Sequence, residues 1–150
     1  MSIASILKEK GGKVVSVTPS TSVPEIASII ASRRIGAVVV LGEDSRLAGI
    51  VSERDVVKAL ASKGEAALRM TAQDIMTQAV VTATPQTSVN EAMALMDEGY
   101  FRHLPVVDNG AMVGIISVRD VVRAYIQEQA QEVDNLKDFV FRGSQTSGLP

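Results

Sequence analysis

The chain has 150 residues and a net charge of −2, from 15 basic and 17 acidic side chains, and 46% of it is hydrophobic. That is ample apolar material for a core, and the near-neutral balance gives no reason to expect nucleic acid or an anionic membrane surface as a partner. Cysteine is absent, which excludes disulfides, a thiol nucleophile and a thiolate zinc site.

The opening, MSIASILKEKGGK, places its charges after its apolar residues, the reverse of a secretory signal. No segment reaches the ~18 consecutive apolar residues that a membrane span requires. A soluble cytoplasmic protein is the expectation. SILKEKGGK is read as a lead-in to the first copy of a repeat. Residues 14–18, VVSVT, form a β-rich run. Ser22 and Glu25 then have the spacing of a capping box, and Ile26, Ile29 and Ile30 the spacing of a buried helix face. AVVVL, residues 37–41, is a continuous apolar run suited to a strand buried on both faces. GEDSR is a polar turn and LAGIV, residues 47–51, the next strand. A second helix begins near Ser52, with Val56, Val57 and Leu60 on its inner side.

AQDIMT, residues 72–77, reads as a short helical turn that leads into a second copy. There VVTAT (80–84) precedes the spacing Ser88 to Glu91 and the helix positions Ala92, Met93, Leu95 and Met96. LPVV (104–107), DNGA and MVGII (112–116) follow, and then a helix from Ser117 with Val121, Val122 and Ile126 inward. Residues 49–57, GIVSERDVV, and 114–122, GIISVRDVV, agree at seven of nine positions. The order is β-α-β-β-α, twice. It predicts an α+β fold of two repeats related by a pseudo-twofold axis and packed as one module. The expected units are residues 1–70, residues 71–127 and an extension over 128–150. In that extension QEQAQEVDNLKDFVF prolongs the last helix and RGSQTSGLP frays. The cluster Phe139-Val140-Phe141 is odd in so polar a tail, and either docks on a neighbouring chain or packs back on its own domain. The helix faces at Val56/Leu60 and Val121/Tyr125 are expected to stay exposed and to join two chains.

Ser52-x-x-Asp55 and Ser117-x-x-Asp120 support two readings. Ser at an N-cap and Asp three residues later make a capping box worth ~1 kcal/mol. Arg54 and Arg119 favour a second reading. A cation in a first turn faces the positive end of the helix dipole, which is mildly unfavourable. Choosing it at the same point in both copies suggests that an anion belongs there, and a helix N-terminus is a ready phosphate site. The adjacent carboxylate would then hold the hydroxyls of a ribose. The only histidine, His103, stands beside Arg102. It has no partner in a recognisable nucleophile motif and no second metal ligand of its kind, so anion contact beside Arg102 is its functional reading. In the first copy Arg33 and Arg34 are the nearest substitutes.

The paired G-h-x-S-x-x-D motifs, the TP-x-TSV-x-E starts, RHLPVVD and DIMT together resemble a tandem pair of CBS (cystathionine-β-synthase-type) domains, over roughly residues 1–127. The resemblance implies a regulatory or sensory module without catalysis, in which two repeats pack through their sheets. Their two clefts are expected to hold an adenosyl ligand: AMP, ADP, ATP, NAD or S-adenosylmethionine. By position, Asp55 and Asp120 would take ribose, and Ser52 and Ser117 would lie near phosphate. Val17, Thr18, Ala83 and Thr84 would lie on the adenine side. Arg54, Arg102, His103 and Arg119 match positions that meet phosphate. Ala37, Val51, Leu104, Pro105 and Ile116 complete the expected walls. Val39 and Gly42 depart from the family's Pro and Asp in the first copy. The resemblance also implies a homodimer and an unidentified regulated protein. A ligand-independent dimerisation scaffold is the alternative.

Overall fold

The structure, a computed structural model, describes residues 1–147, and the side chains of residues 1–142. Ser22 caps helix α2 (Val23–Arg33), its Oγ accepting the Glu25 amide at 3.3 Å. Ser88 caps α5 (Val89–Gly99) in the same way, at 3.0 Å from the Glu91 amide. Among the described residues neither glutamate returns the bond, so each start is an N-cap and not the reciprocal box expected. Both helices end on a residue in the left-handed conformation, Arg34 at φ 54° and Tyr100 at φ 56°. Neither is glycine, the usual residue there, so no sequence signal marked these stops.

Strands β1 (Ser16–Val17), β2 (Ala37–Leu41) and β3 (Leu47–Ser52) form one sheet in that order. β1 runs parallel to β2, and β2 antiparallel to β3. β4 (His103–Asp108) and β5 (Ala111–Ser117) form the second hairpin. Each hairpin shifts register at the matching point, Val40/Leu41 and Val106/Val107. The run at 80–84 does not become a strand. Only Ala83 pairs, in a parallel bridge to Val106. The residues before it cross between the repeats instead of following a partner strand.

The lead-in segments are exchanged. Helix α1 (Ile3–Lys10), expected to serve the first copy, packs on the second. Ile3 and Ile6 join a core with Val89, Leu104, Val106, Ile116 and Val121. The short α4 (Ala72–Ile75), expected to lead the second copy, packs on the first. Ala72 lies there in a core with Val17, Val23, Ile26, Val38, Val40 and Val51. The same three backbone bonds hold each docking. Ile3 and Ala4 amides donate to Thr87 and Pro85 carbonyls (2.8 and 2.9 Å), and the Val89 amide to Met1 (3.2 Å). Ala72 and Gln73 amides donate to Thr21 and Pro19 carbonyls (2.8 and 2.9 Å), and the Val23 amide to Met70 (3.0 Å). The repeated TP-x-TSV is therefore the docking turn for a lead-in. The repeated glycine has the matching role: a Cβ at Gly49 would meet Met76 and the Thr77 carbonyl, and one at Gly114 would meet Leu7.

Helix α3 (Glu53–Lys63) follows β3, and α6 (Val118–Ser147) follows β5. The dimerisation faces need correction. Val56 and Val121 point into the cores, while Val57, Leu60, Val122 and Ile126 are exposed. Tyr125 is half-buried against the second core. The last helix also continues through Ser147, past the expected fraying point at Arg142. The final three residues of that expected tail lie outside the described residues. No helix among the described residues is long and apolar enough to cross a membrane.

The exchange makes α1 part of a core. Ile3→Ala deletes a fully buried side chain and should cost about 2–4 kcal/mol in urea unfolding. An unchanged midpoint would mean that α1 is a dispensable lead-in.

Candidate functional site

The first copy of the motif builds an open cleft. Ser52 ends β3 and caps α3. Its amide and hydroxyl both donate to Asp55 Oδ2, at 2.8 and 3.0 Å, and its Oγ accepts the Asp55 amide at 3.3 Å. The capping reading of Ser-x-x-Asp is thus fulfilled. It uses only one carboxylate oxygen. Among the described residues Asp55 Oδ1 takes no hydrogen bond, and Asp55 lines a cleft of about 410 Å³, within the range of small-molecule sites.

The opposite wall is the segment that crosses from α4 to the second copy. Thr77, Ala79, Val80 and Val81 line it, with Tyr100, Phe101, Arg102 and His103 at one end. The crossing segment is pinned to β3 by reciprocal backbone bonds between Ile50 and Thr77, at 3.0 and 3.1 Å. Arg54, Lys58 and Arg102 bring three cations to this cleft. Among the described residues none of the three forms an ion pair. Glu53 and Asp55 are the acids that line the same space.

The second copy is different. Ser117 and Asp120 form the same cap, with the Ser117 amide donating to Asp120 Oδ2 at 2.8 Å and Ser117 Oγ accepting the Asp120 amide at 3.1 Å. Here Lys10 Nζ also reaches Asp120 Oδ2 at 2.6 Å and the Ile115 carbonyl at 2.9 Å. Burial raises the Asp120 carboxyl, but the Lys10 and Ser117 bonds outweigh it and hold the group below its ordinary value. The lysine therefore adds a charge to the oxygen that already takes the cap bond, and among the described residues Asp120 Oδ1, like Asp55 Oδ1, takes no hydrogen bond. Ser117 and Arg119 face a groove that shares Gly36, Glu53, Arg102 and His103 with the first cleft, whereas Asp120 lines a smaller one of about 260 Å³ with Lys10 and Arg123.

Several expected wall residues lie elsewhere. Val17 and Val51 belong to the first core, and Ala83, Leu104 and Ile116 to the second. Ala37 and Pro105 are buried as well. Strand alternation is the reason: Ile50 and Ser52 reach the cleft, so Val51 between them faces the core. Thr18 and Thr84 are exposed, and their amides donate to Thr21 and Thr87 hydroxyls within the docking turns. Sequence reasoning missed Thr77, Ala79, Lys58, Tyr100 and Phe101 as wall residues. The proximity of residues 77–81 follows from the exchange of lead-ins, which no local pattern displays. His103, read from the sequence as an anion contact, lines this cleft beside Arg102. Burial first, and then the Lys10 charge, lower its pKa from 6.5, so it is neutral at pH 7. Among the described residues no cluster of three or more His, Asp or Glu side chains is placed to hold a metal ion.

Comparison with known proteins adds to this geometry. The family described as CBS domain matches residues 6–62 and 72–127. A curated relative, the "CBS domain-containing protein CBSX3, mitochondrial" of Arabidopsis thaliana, is 34% identical over 94% of this chain and 72% of its own. The crystal structure of the CBS-domain containing protein ATU1752 from Agrobacterium tumefaciens superposes with a TM-score of 0.80, at 41% identity, covering 83% of this chain and 92% of that one. CBSX2 in complex with AMP superposes at 0.70 with 26% identity, over 85% and 98%. The CBS domain pair of MJ0100, in complex with 5′-methylthioadenosine and S-adenosyl-L-methionine, superposes at 0.76 with 26% identity, also over 85% and 98%.

The two shifted groups give a pH dependence of stability. The folded His103 pKa lies below 6.5. Between those values the unfolded chain binds more protons, so stability falls as pH drops through that window. The Asp120 contribution is present above its ordinary value of 3.8 and is lost as pH falls through the lower folded value. An NMR titration should place the His103 midpoint below 6.5, and Lys10→Met should raise the Asp120 midpoint. A His103 midpoint above 6.5 would instead put an imidazolium in an ion pair.

Proposed function

The chain belongs to the CBS-domain family, and from that premise we propose that it is a regulatory module that binds an adenosine phosphate, AMP before ADP, ATP or NAD, in the Asp55 cleft. One observation carries the reading: the carboxylate oxygen Asp55 Oδ1 remains open at a cleft that also gathers Arg54, Lys58 and Arg102. The carboxylate suits two vicinal hydroxyls, and the cations suit a phosphate. The N-terminus of α3 adds its amides and dipole on the anion's side. The apolar walls of Val80, Val81 and Phe101 suit a planar base. The ligands in CBSX2 and MJ0100 support the adenosyl class.

The module acts by binding and leaves the nucleotide unchanged. CBS-domain proteins are generally regulatory modules, and the cleft offers Asp55 and a neutral His103 without an activated nucleophile. The regulated partner is an unidentified protein, reached through a homodimer that covers Val57, Leu60, Val122 and Ile126, all exposed in the single chain. A cytoplasmic location belongs to this reading. Cell fractionation checks it, since one relative carries "mitochondrial" in its name.

Occupancy is one nucleotide per chain, because Lys10 already holds Asp120. Calorimetry should give a stoichiometry near one, with AMP bound at least tenfold more tightly than adenosine. Asp55→Asn keeps a cap acceptor and removes the charge. It should weaken AMP by tenfold or more, since charge-assisted bonds are worth ~1.5–3 kcal/mol and a decade is 1.4 kcal/mol, with little change in melting temperature. Asp55→Ala should additionally lose about 1 kcal/mol of stability with the cap. Normal AMP affinity in Asp55→Asn, or no nucleotide binding by the native chain, would favour a ligand-independent dimerisation scaffold.

A further inference from the structure

Helix α6 is in contact with the body only at its start. Val121 and Ala124 are buried in the second core and Tyr125 packs against it. From Gln129 to Arg142 every described side chain is exposed. This projecting helix nevertheless carries large apolar groups: Val133 is 50% exposed, Leu136 62%, Phe139 75%, Val140 60% and Phe141 63%. Phe139 and Phe141 lie on either flank, while Val133, Leu136 and Val140 share one face. With Val122 and Ile126 these three follow the sequence spacing four, seven, three, four, which leaves one gap, at Gln129. At 100° per residue the positions 122, 126, 129, 133, 136 and 140 fall within roughly 80° of arc. The opposite face carries Glu128, Gln131, Asn135 and Asp138. The stripe therefore points away from the core-facing residues Val121 and Ala124, and its own body does not cover it.

We propose that this stripe pairs with its equivalent on a second copy of the chain, as a short parallel two-stranded coiled coil that extends the dimer face. Three features select that occupant. The spacing of four and three is a heptad pattern, with Ile126, Val133 and Val140 at one core position and Val122 and Leu136 at the other. β-Branched residues at the first with leucine at the second favour two parallel strands. The flanking charges are complementary in the same register: Glu132 stands at the position that faces Lys137 of a parallel partner, five residues on, and the symmetric pair repeats it. Within one helix these two residues are not neighbours, and among the described residues neither forms an ion pair. The stripe also begins at Val122 and Ile126, on the exposed face assigned to the homodimer. Gln129 within the seam is a polar register marker.

The inference rests on the homodimer reading, and the test separates the two. The chain has no cysteine, so single cysteines report cleanly. Leu136→Cys, in the seam, should cross-link two chains under a mild oxidant, whereas Asp138→Cys, on the opposite face, should not. Lys137→Glu should weaken self-association roughly fivefold, and Glu132→Lys combined with Lys137→Glu should restore it. Light scattering of the native chain provides the reference. A monomer at tens of micromolar would overturn both readings. A dimer in which Leu136→Cys fails to cross-link, or links no better than Asp138→Cys, would overturn the coiled coil alone and assign the stripe to another partner. Failure of the paired charge reversal to restore association would overturn the parallel register.

Discussion

Each repeat is completed by a helix that precedes the other one, and the rest of the molecule depends on that exchange. Alone, a hairpin and two helices leave an apolar end open. Docking of α1 on the second copy and α4 on the first closes both, through matching sets of three backbone bonds to the TP-x-TSV turns. The chain must then cross between the halves twice. The second crossing, at residues 77–81, lies opposite the Ser52–Asp55 motif and becomes the far wall of the cleft. The site is thus a by-product of how the two cores are closed.

The Ser-x-x-Asp motif is structural and site-building at once. At each copy the amide bond to the aspartate caps a helix and fixes the carboxylate's orientation. What differs is the neighbour. Asp55 faces a crossing segment without a charge within hydrogen-bond reach, whereas Asp120 meets Lys10 at 2.6 Å. An identical motif can therefore hold an open site in one copy and an internal ion pair in the other. That pair is part-exposed, so its contribution to stability is modest; its consequence is for access to the carboxylate.

Much of the architecture was legible because it is local. Two copies in register fixed the element order, and Ser22, Ser88, Ser52 and Ser117 marked four helix starts by side-chain chemistry alone. The strand 37–41 was visible as an apolar run. The helix stops at Arg34 and Tyr100 were hidden, since left-handed non-glycine residues leave no signature. The site was legible by half. Ser52, Asp55, Arg54, Arg102 and His103 do meet at one cleft. Which neighbours face inward was less legible, because a strand's alternation decides it: the side chains of Val51 and Ile116 lie in the cores, while Ile50 and Ser52 line the cleft. Lys10 could not be read at all, since its partner is 110 residues away and depends on the exchange of lead-ins.

The central claim is that the crossing segment and the first motif form one nucleotide site while the second motif, its aspartate paired with Lys10, binds none. Amide hydrogen exchange, followed by mass spectrometry with and without saturating AMP, tests it most directly. The account predicts slower exchange in residues 50–58 and 77–81, with residues 11–15 and 117–123 unchanged. Protection confined to 11–15 and 117–123, or no protection at either motif, would contradict it.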